Sequence, residues 1–223
     1  MFANSELTWW QRFLSKLLRM GPIPSHIAFI MDGNRRYARR KGVRSELGHE
    51  FGFEALAMAL KWCNHIGIRE VTVFAFSIEN FKRSEAEVAV LMSIARRKFA
   101  DLILELRANG PRRLHSIFCE NIANRVHISE YLLRSILDSG DSSNPDLVIR
   151  TSGETRLSDF MMIQVSNSFL YFDDVLWPEY SFWNLFRAIL AFQRNYEPAE
   201  VIFNFVRQVS MHASTLFRLN CTT

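Results

Sequence analysis

His26-Ile-Ala-Phe-Ile-Met-Asp-Gly-Asn-Arg-Arg-Tyr-Ala-Arg-Arg40 is the stretch that decides how this chain is read. Its opening is mostly apolar, too short for a helix and without the alternation of a half-exposed strand. It therefore predicts a short strand buried on both faces. Polarity then changes abruptly at Asp32-Gly33-Asn34-Arg35-Arg36, which sets a carboxylate, a glycine and two arginines at the strand's carboxyl end. In an open α/β sheet ligands bind at that end, because the loops there leave a crevice. Gly33 lets a ligand approach the backbone, and Asn34, Arg35 and Arg36 offer donors to an anion. An acid beside arginines also suits a metal-bridged phosphate, with Asp32 on a hard cation. The plain alternative is a strand, a turn and a solvated basic face.

Working outward, the same pattern recurs. Val71-Thr-Val-Phe-Ala-Phe76 reads as a second buried parallel strand, and it runs into the polar loop Ser77-Ile-Glu-Asn-Phe-Lys-Arg83. Asp146-Leu-Val-Ile-Arg150 is a third strand, followed by Thr-Ser-Gly-Glu-Thr-Arg156-Leu-Ser158. Two arginines, several hydroxyls and a glycine at a strand end make a good diphosphate cradle, with a surface turn as the alternative. Ser168–Phe172 reads as a further strand, His115–Cys119 as at best a short one, and Trp177-Pro-Glu as a turn.

Between the strands lie helical periods. Residues 8–20 carry Trp10, Phe13, Leu14, Leu17 and Leu18 on one stripe, with Thr8 and Gln11 as a capping box and Gly21-Pro22 as the stop. Two tryptophans with Arg12, Lys16 and Arg19 suit either an interfacial membrane helix or one packed on its own domain. Further helices are expected from Gly48 to Ile66, from Ser84 to Leu106, over 128–138, from Phe182 to Leu190 and over 198–218. The basic run Arg35–Arg44 is read with the turn, as a solvated face.

Composition limits the function classes. With 223 residues the chain is sized for one domain, read as 22–223 with 1–21 as an N-terminal amphipathic helix. A net charge of +4 fits an anionic partner. Three cysteines without a C-x-x-C pair suggest a reducing compartment. No run approaches the ~18–20 apolar residues of a membrane span. The residues singled out at the three strand ends, Asp32 with Arg35 and Arg36, then Ser77, Asn80 and Arg83, then Arg150, Arg156 and Ser158, are one acid and many anion donors, without a nucleophile–base pair, an HExxH or a Walker A sequence. That set points to a reaction on diphosphates in which a divalent cation bridges the acid and the leaving group. A nucleic-acid role for the basic run is not supported by any accompanying motif.

HIAFIMDGNRRYA, GHEFGF, VTVFAFSIENFKRS, DLVIRTSGETRLSDF and LYFDDVLWPE, in that order, closely resemble the cis-prenyltransferases, and above all their eukaryotic dehydrodolichyl diphosphate synthase group. The resemblance implies a Rossmann-like parallel sheet flanked by helices. It also implies a reaction that extends farnesyl or a longer allylic diphosphate with isopentenyl diphosphate, forming cis double bonds and releasing pyrophosphate. It assigns Asp32 as the acid that manages Mg²⁺, and Gly33, Asn34, Arg35, Arg36 and Tyr37, with His49 nearby, as the cradle of the allylic diphosphate. Ser77, Asn80 and Arg83 match the loop that positions substrate and assists proton loss. Arg150, Arg156 and Ser158 match the site for the diphosphate of isopentenyl diphosphate. The trans-prenyltransferase DDxxD sequence is absent, since Asp173-Asp174 is followed by Val-Leu-Trp.

Two departures shape the expectations. The span before Asp146 is short by roughly fifty residues against the family pattern, more than one βαβ unit. The domain is thus expected to be interrupted near 108–144, with central strands missing. Residues Phe217-Arg-Leu-Asn220 stand where single-subunit members carry Arg-x-Gly. The resemblance then implies a heteromer with a Nogo-B-receptor-like subunit, held peripherally on the cytosolic face of the endoplasmic reticulum. The rival expectation is a non-catalytic or regulatory variant that binds its partner without elongating chains.

Overall fold

The computed structural model describes residues 7–76, 93, 113–118, 143–158, 160–161 and 164–196. Five strands, β1 (His26–Ile30), β2 (Glu70–Phe76), β3 (Arg113–Phe118), β4 (Leu147–Arg150) and β5 (Phe169–Phe172), form one sheet in the order β3-β2-β1-β4-β5. Every neighbouring pair is parallel. With them come α1 (Trp9–Leu18), α2 (Asn34–Lys41), α3 (Ser45–Ile66), α4 (Phe182–Asn195) and a 3-10 turn at Trp177–Glu179. This is the expected α/β architecture.

All five residues of β1 are buried, as a continuous apolar run at the centre of a covered sheet should be. Successive side chains go to opposite faces. Ile27 and Phe29 join Val71, Val73, Leu147 and Ile149 beneath α3, α4 and Trp177. Ala28 and Ile30 pack with Phe74, Val148, Phe160, Met161 and Val165 on the other face. Each of the five described strands pairs with its neighbour, with one register shift between β2 and β3 at Phe74–Phe76, so the shortfall expected in the chain opens no gap between these strands. Residues 119–142, where the missing strands were expected to fall, lie outside the described residues, as do the helices expected over 128–138 and 198–218. Of the helix expected from Ser84 to Leu106, Ser93 is described and is helical.

Helix α1 begins where the capping pattern put it, with Gln11 Oε1 accepting from the Thr8 amide at 3.0 Å. Its inner face docks on the domain: Leu18 is fully buried, and Trp10 meets the Phe182 ring edge-on at 5.5 Å. Gln193 donates to the Leu18 carbonyl at 2.7 Å, and Arg19 Nε to the Ile66 carbonyl at 3.1 Å. Its outer face leaves Trp9 and Phe13 exposed.

One element was not foreseen. Asn34–Lys41 is a helix, where the sequence reading had a turn and a solvated basic run. Only Ala38 of its eight residues is buried, so no apolar stripe announces it. Two features replace the stripe. Gly33 opens the helix at φ 104°, and Gly42 closes it at φ 67°, its amide donating to the Arg39 carbonyl. Strand β3 is also longer than expected, running from Arg113.

Strand order fixes where a ligand can sit. The chain goes from β1 to β2 and β3 on one side, then crosses to β4 and β5 on the other. The order therefore reverses between β1 and β4, and the crevice beyond their carboxyl ends is the place such sheets offer a ligand. Ile30 lies opposite Arg150 in the register. The loops after these two strands carry Asp32 and the Thr151–Ser158 segment.

Candidate active site

Asp32 is held by its backbone. Its amide donates to Thr151 Oγ1 at 3.1 Å, and the same hydroxyl donates to the Asp32 carbonyl at 3.0 Å. The Trp177 amide reaches that carbonyl at 2.9 Å. Asp32 Oδ1 accepts from the Gly33 amide at 2.6 Å. Gly33 is required twice over, by its positive φ and because a Cβ there would meet Leu176 Cδ2 at 2.9 Å. The carboxylate stays 38% exposed to the crevice.

Helix α2 then carries Asn34, Arg35 and Arg36, and α3 sets its position. A Cβ on Gly48 would lie 2.4 Å from the Asn34 carbonyl, and one on Gly52 would lie 2.4 Å from Asn34 Oδ1. These glycines, one helical turn apart, let α2 lie directly on α3. Asn34 Oδ1 is buried there without a hydrogen bond among the described residues. Trp177 Nε1 donates to the Gly52 carbonyl at 2.8 Å, tying α3 to the residue that also holds Asp32.

The loop after β4 brings the cations. Arg150 is 3% exposed, and its Nη2 meets Asp32 Oδ2 at 3.2 Å. Its Nη1 donates to Ser158 Oγ at 3.0 Å and also to the Arg156 carbonyl. Arg36 Nη2 approaches the same Asp32 oxygen at 3.6 Å and donates to Ser152 Oγ. Ser152 and Gly153 both take positive φ, 82° and 74°. Their amides donate to the Val175 and Asp173 carbonyls at 2.8 and 2.9 Å, which anchors this turn to the loop after β5. A non-glycine residue in that region is held by its surroundings at some cost in energy.

Sequence reasoning named Asp32, Gly33, Arg36, Arg150 and Ser158, and these meet at one point. Arg35 is exposed on α2. Arg156 contributes its carbonyl to Arg150, while its guanidinium pairs with Glu154 at 2.8 Å. Tyr37 points to α3, its ring edge-on to Phe51 at 5.7 Å with Lys41 Nζ 5.9 Å from its centroid. His49 lies in the first turns of α3, beside Gly48. Ser77, Asn80 and Arg83 lie outside the described residues. Sequence reasoning missed Gly48, Gly52, Glu154 and Trp177 as parts of the site, and took Thr151 and Ser152 only among the hydroxyls of the loop after β4. Gly48-His-Glu-Phe-Gly52, two glycines four apart inside a helical period, was the available signal of a close approach.

The family model described as "Putative undecaprenyl diphosphate synthase" matches residues 30–117 and 110–198. The chain belongs to the cis-prenyltransferase family. Among its relatives, the human dehydrodolichyl diphosphate synthase complex subunit DHDDS is 43% identical over 246 residues, covering 86% of this chain and 74% of that protein. The tritrans,polycis-undecaprenyl-diphosphate synthase (geranylgeranyl-diphosphate specific) of Pyrococcus furiosus is 32% identical, covering 87% and 93%. The fold matches the crystal structure of lavandulyl diphosphate synthase from Lavandula x intermedia with a TM-score of 0.68 at 24% identity, over 79% of this chain and 98% of that one. Within this cis-prenyltransferase the match to the human subunit is uneven. Of the 223 residues, 86% is about 192, so about 54 of the 246 aligned positions have no counterpart here. The two stretches of the family match meet at residues 110–117.

Proposed function

We propose that this cis-prenyltransferase condenses isopentenyl diphosphate with farnesyl or a longer allylic diphosphate, as the catalytic subunit of a polyprenyl diphosphate synthase feeding dolichol or polyprenol synthesis. The observation that carries the reading is the contact of Arg150 with Asp32 at 3.2 Å, in the crevice where the strand order reverses. Asp32 and Glu154 stand against Arg36, Arg150 and Arg156, an excess of cation over anion, as a site for two diphosphates needs.

The allylic diphosphate lies over Gly33, where the backbone has no Cβ in the way. The α2 amino terminus and Arg35 and Arg36 supply donors there, with Tyr37 and His49 on the flanking helices. The diphosphate of isopentenyl diphosphate takes Arg150, Arg156 and Ser158. The family resemblance assigns Ser77, Asn80 and Arg83 to positioning the substrate and assisting loss of the alkene's proton. These groups hold the two substrates in line, and the arginines balance charge as pyrophosphate departs. Mg²⁺ fits the donor set. Asp32 offers a partly exposed carboxylate, magnesium is commonly held by one or two carboxylates with substrate phosphates, and no cluster of three His, Cys, Asp or Glu stands among the described residues. An ion held there by Asp32 would supply charge neutralisation for the departing diphosphate.

A heteromer with a Nogo-B-receptor-like subunit is supported by the human relative's name, which calls that protein a complex subunit. Peripheral contact with the cytosolic face of the endoplasmic reticulum is supported by α1, which exposes Trp9 and Phe13 beside Arg12 and Lys16. No described helix is long and apolar enough to cross a membrane. A second reading, a single domain interrupted near 108–144 that binds its partner without elongating chains, is favoured by the two-part family match. Magnesium-dependent incorporation of isopentenyl diphosphate into a farnesyl-primed product, with and without the partner subunit, separates them. Elongation supports the catalytic reading. Partner binding without any elongation overturns it in favour of the second.

A further inference from the structure

Glu154 has no part in the reaction as described, yet it touches both halves of the site. It sits in the turn after β4, with its side chain 31% exposed. Its Oε1 lies 3.8 Å from Arg36 Nη2, and its Oε2 accepts from Arg156 Nη1 at 2.8 Å. One carboxylate thus puts one oxygen on a guanidinium from each proposed diphosphate subsite. The geometry is that of a bound anion, supplied by the chain itself. Arg36 and Arg156 are both about half exposed, so these pairs are weak enough to exchange for a ligand.

We infer that Glu154 is a resident stand-in for diphosphate: it holds Arg36 and Arg156 in the free enzyme and gives them up when substrates bind. Its return helps to expel pyrophosphate. Glu154 is a positioning residue, since it acts through the two arginines. The turn is built for this exchange. Ser152 and Gly153, with their positive φ, are pinned to the loop after β5, and the Glu154 side chain that follows them is half-buried. Moving Glu154 aside requires a rotamer change and no change of backbone.

The inference rests on the two-diphosphate reading, and one titration tests both. Inorganic pyrophosphate is titrated by calorimetry, in magnesium-containing buffer, into the full chain and into Glu154→Gln, Glu154→Asp and Arg36→Ala. Circular dichroism verifies the folding of each variant. Glu154→Gln keeps the shape and removes the competing charge, so it binds pyrophosphate about threefold more tightly. In steady state it lowers KM and kcat together, because release is slowed. Glu154→Asp keeps the charge but cannot span both arginines, so it also binds more tightly than wild type, by a smaller factor. Arg36→Ala binds more weakly. Unchanged or weaker binding by Glu154→Gln, with Arg36→Ala still impaired, overturns the stand-in and leaves the diphosphate site in place. Equality of Glu154→Asp with wild type overturns the two-arginine bridge. Failure of the wild-type chain to bind pyrophosphate, or indifference to Arg36→Ala, overturns the diphosphate reading itself and the stand-in with it.

Discussion

The strand ends that face each other across the crevice are built on different principles. After β1 the acid is placed by backbone. Asp32 has its amide and its carbonyl bonded to Thr151 and Trp177, Gly33 turns at φ 104°, and α2 rests on bare glycines of α3. After β4 the strand's end is as firm, since the Asp173 amide donates to the Arg150 carbonyl at 2.8 Å. The cations, however, are placed by charge: Arg156 in the loop after β4 leans on Glu154, as Arg36 does from α2, and Arg150 at the end of β4 leans on Asp32 and Ser158. Packing fixes a group whether or not ligand is present, whereas an ion pair can be exchanged for another ion. The acid half is therefore preorganised, and the cation half is ready to change partners.

Three substitutions press on that contrast. The largest effect is expected from Asp32→Ala, which removes the group the packing exists to place. Turnover should fall by about 10³-fold or more while the thermal unfolding midpoint moves little. Product formation at the wild-type rate, read by labelled isopentenyl diphosphate, would sink the assignment. Next is Arg150→Lys. A lysine keeps the charge but loses the planar fork that reaches Asp32, Ser158 and the Arg156 carbonyl together, so kcat/KM should drop about 10²-fold. Full activity would mean that charge alone suffices there. The smallest effect in rate, but a distinct one in stability, is expected from Gly52→Ala. Its Cβ would stand 2.4 Å from Asn34 Oδ1, and the resulting shift of α2 should cost about 1–3 kcal/mol in urea denaturation. Unaltered stability would show that α2 is not held by this packing.

The same contrast explains what could be read in the sequence. β1, β2 and β4 were legible because burial on both faces writes an unbroken apolar run; β5 is an apolar run too, although Leu170 and Phe172 remain exposed. α1, α3 and α4 were legible because one buried face writes a helical period. α2 was not, since Asn-Arg-Arg-Tyr-Ala-Arg-Arg-Lys buries only Ala38 and its placement depends on glycines in another helix. In the site, Asp32 and Arg150 stood out as charges at the ends of apolar runs. Thr151, Trp177 and Glu154 did not. A hydroxyl, an indole and one more surface acid acquire their roles only when the loops after β1, β4 and β5 are brought together.

The neighbour that β1 needs on one side is far away in the chain. β2 follows within about forty residues, but β4 pairs with β1 across a separation of 120, as in Ile27 with Leu147. At synthesis rates of about 5–20 residues per second, that flank stays unpaired for on the order of ten seconds after β1 leaves the ribosome. During that interval β1, a strand that ends up buried along its whole length, presents open amides and carbonyls, the condition under which strands recruit wrong partners. Closing the catalytic crevice and capping this sticky edge are thus one event, the arrival of residues 147–150. A chain that is slow to make that pairing will be lost to aggregation before it is missed as an enzyme.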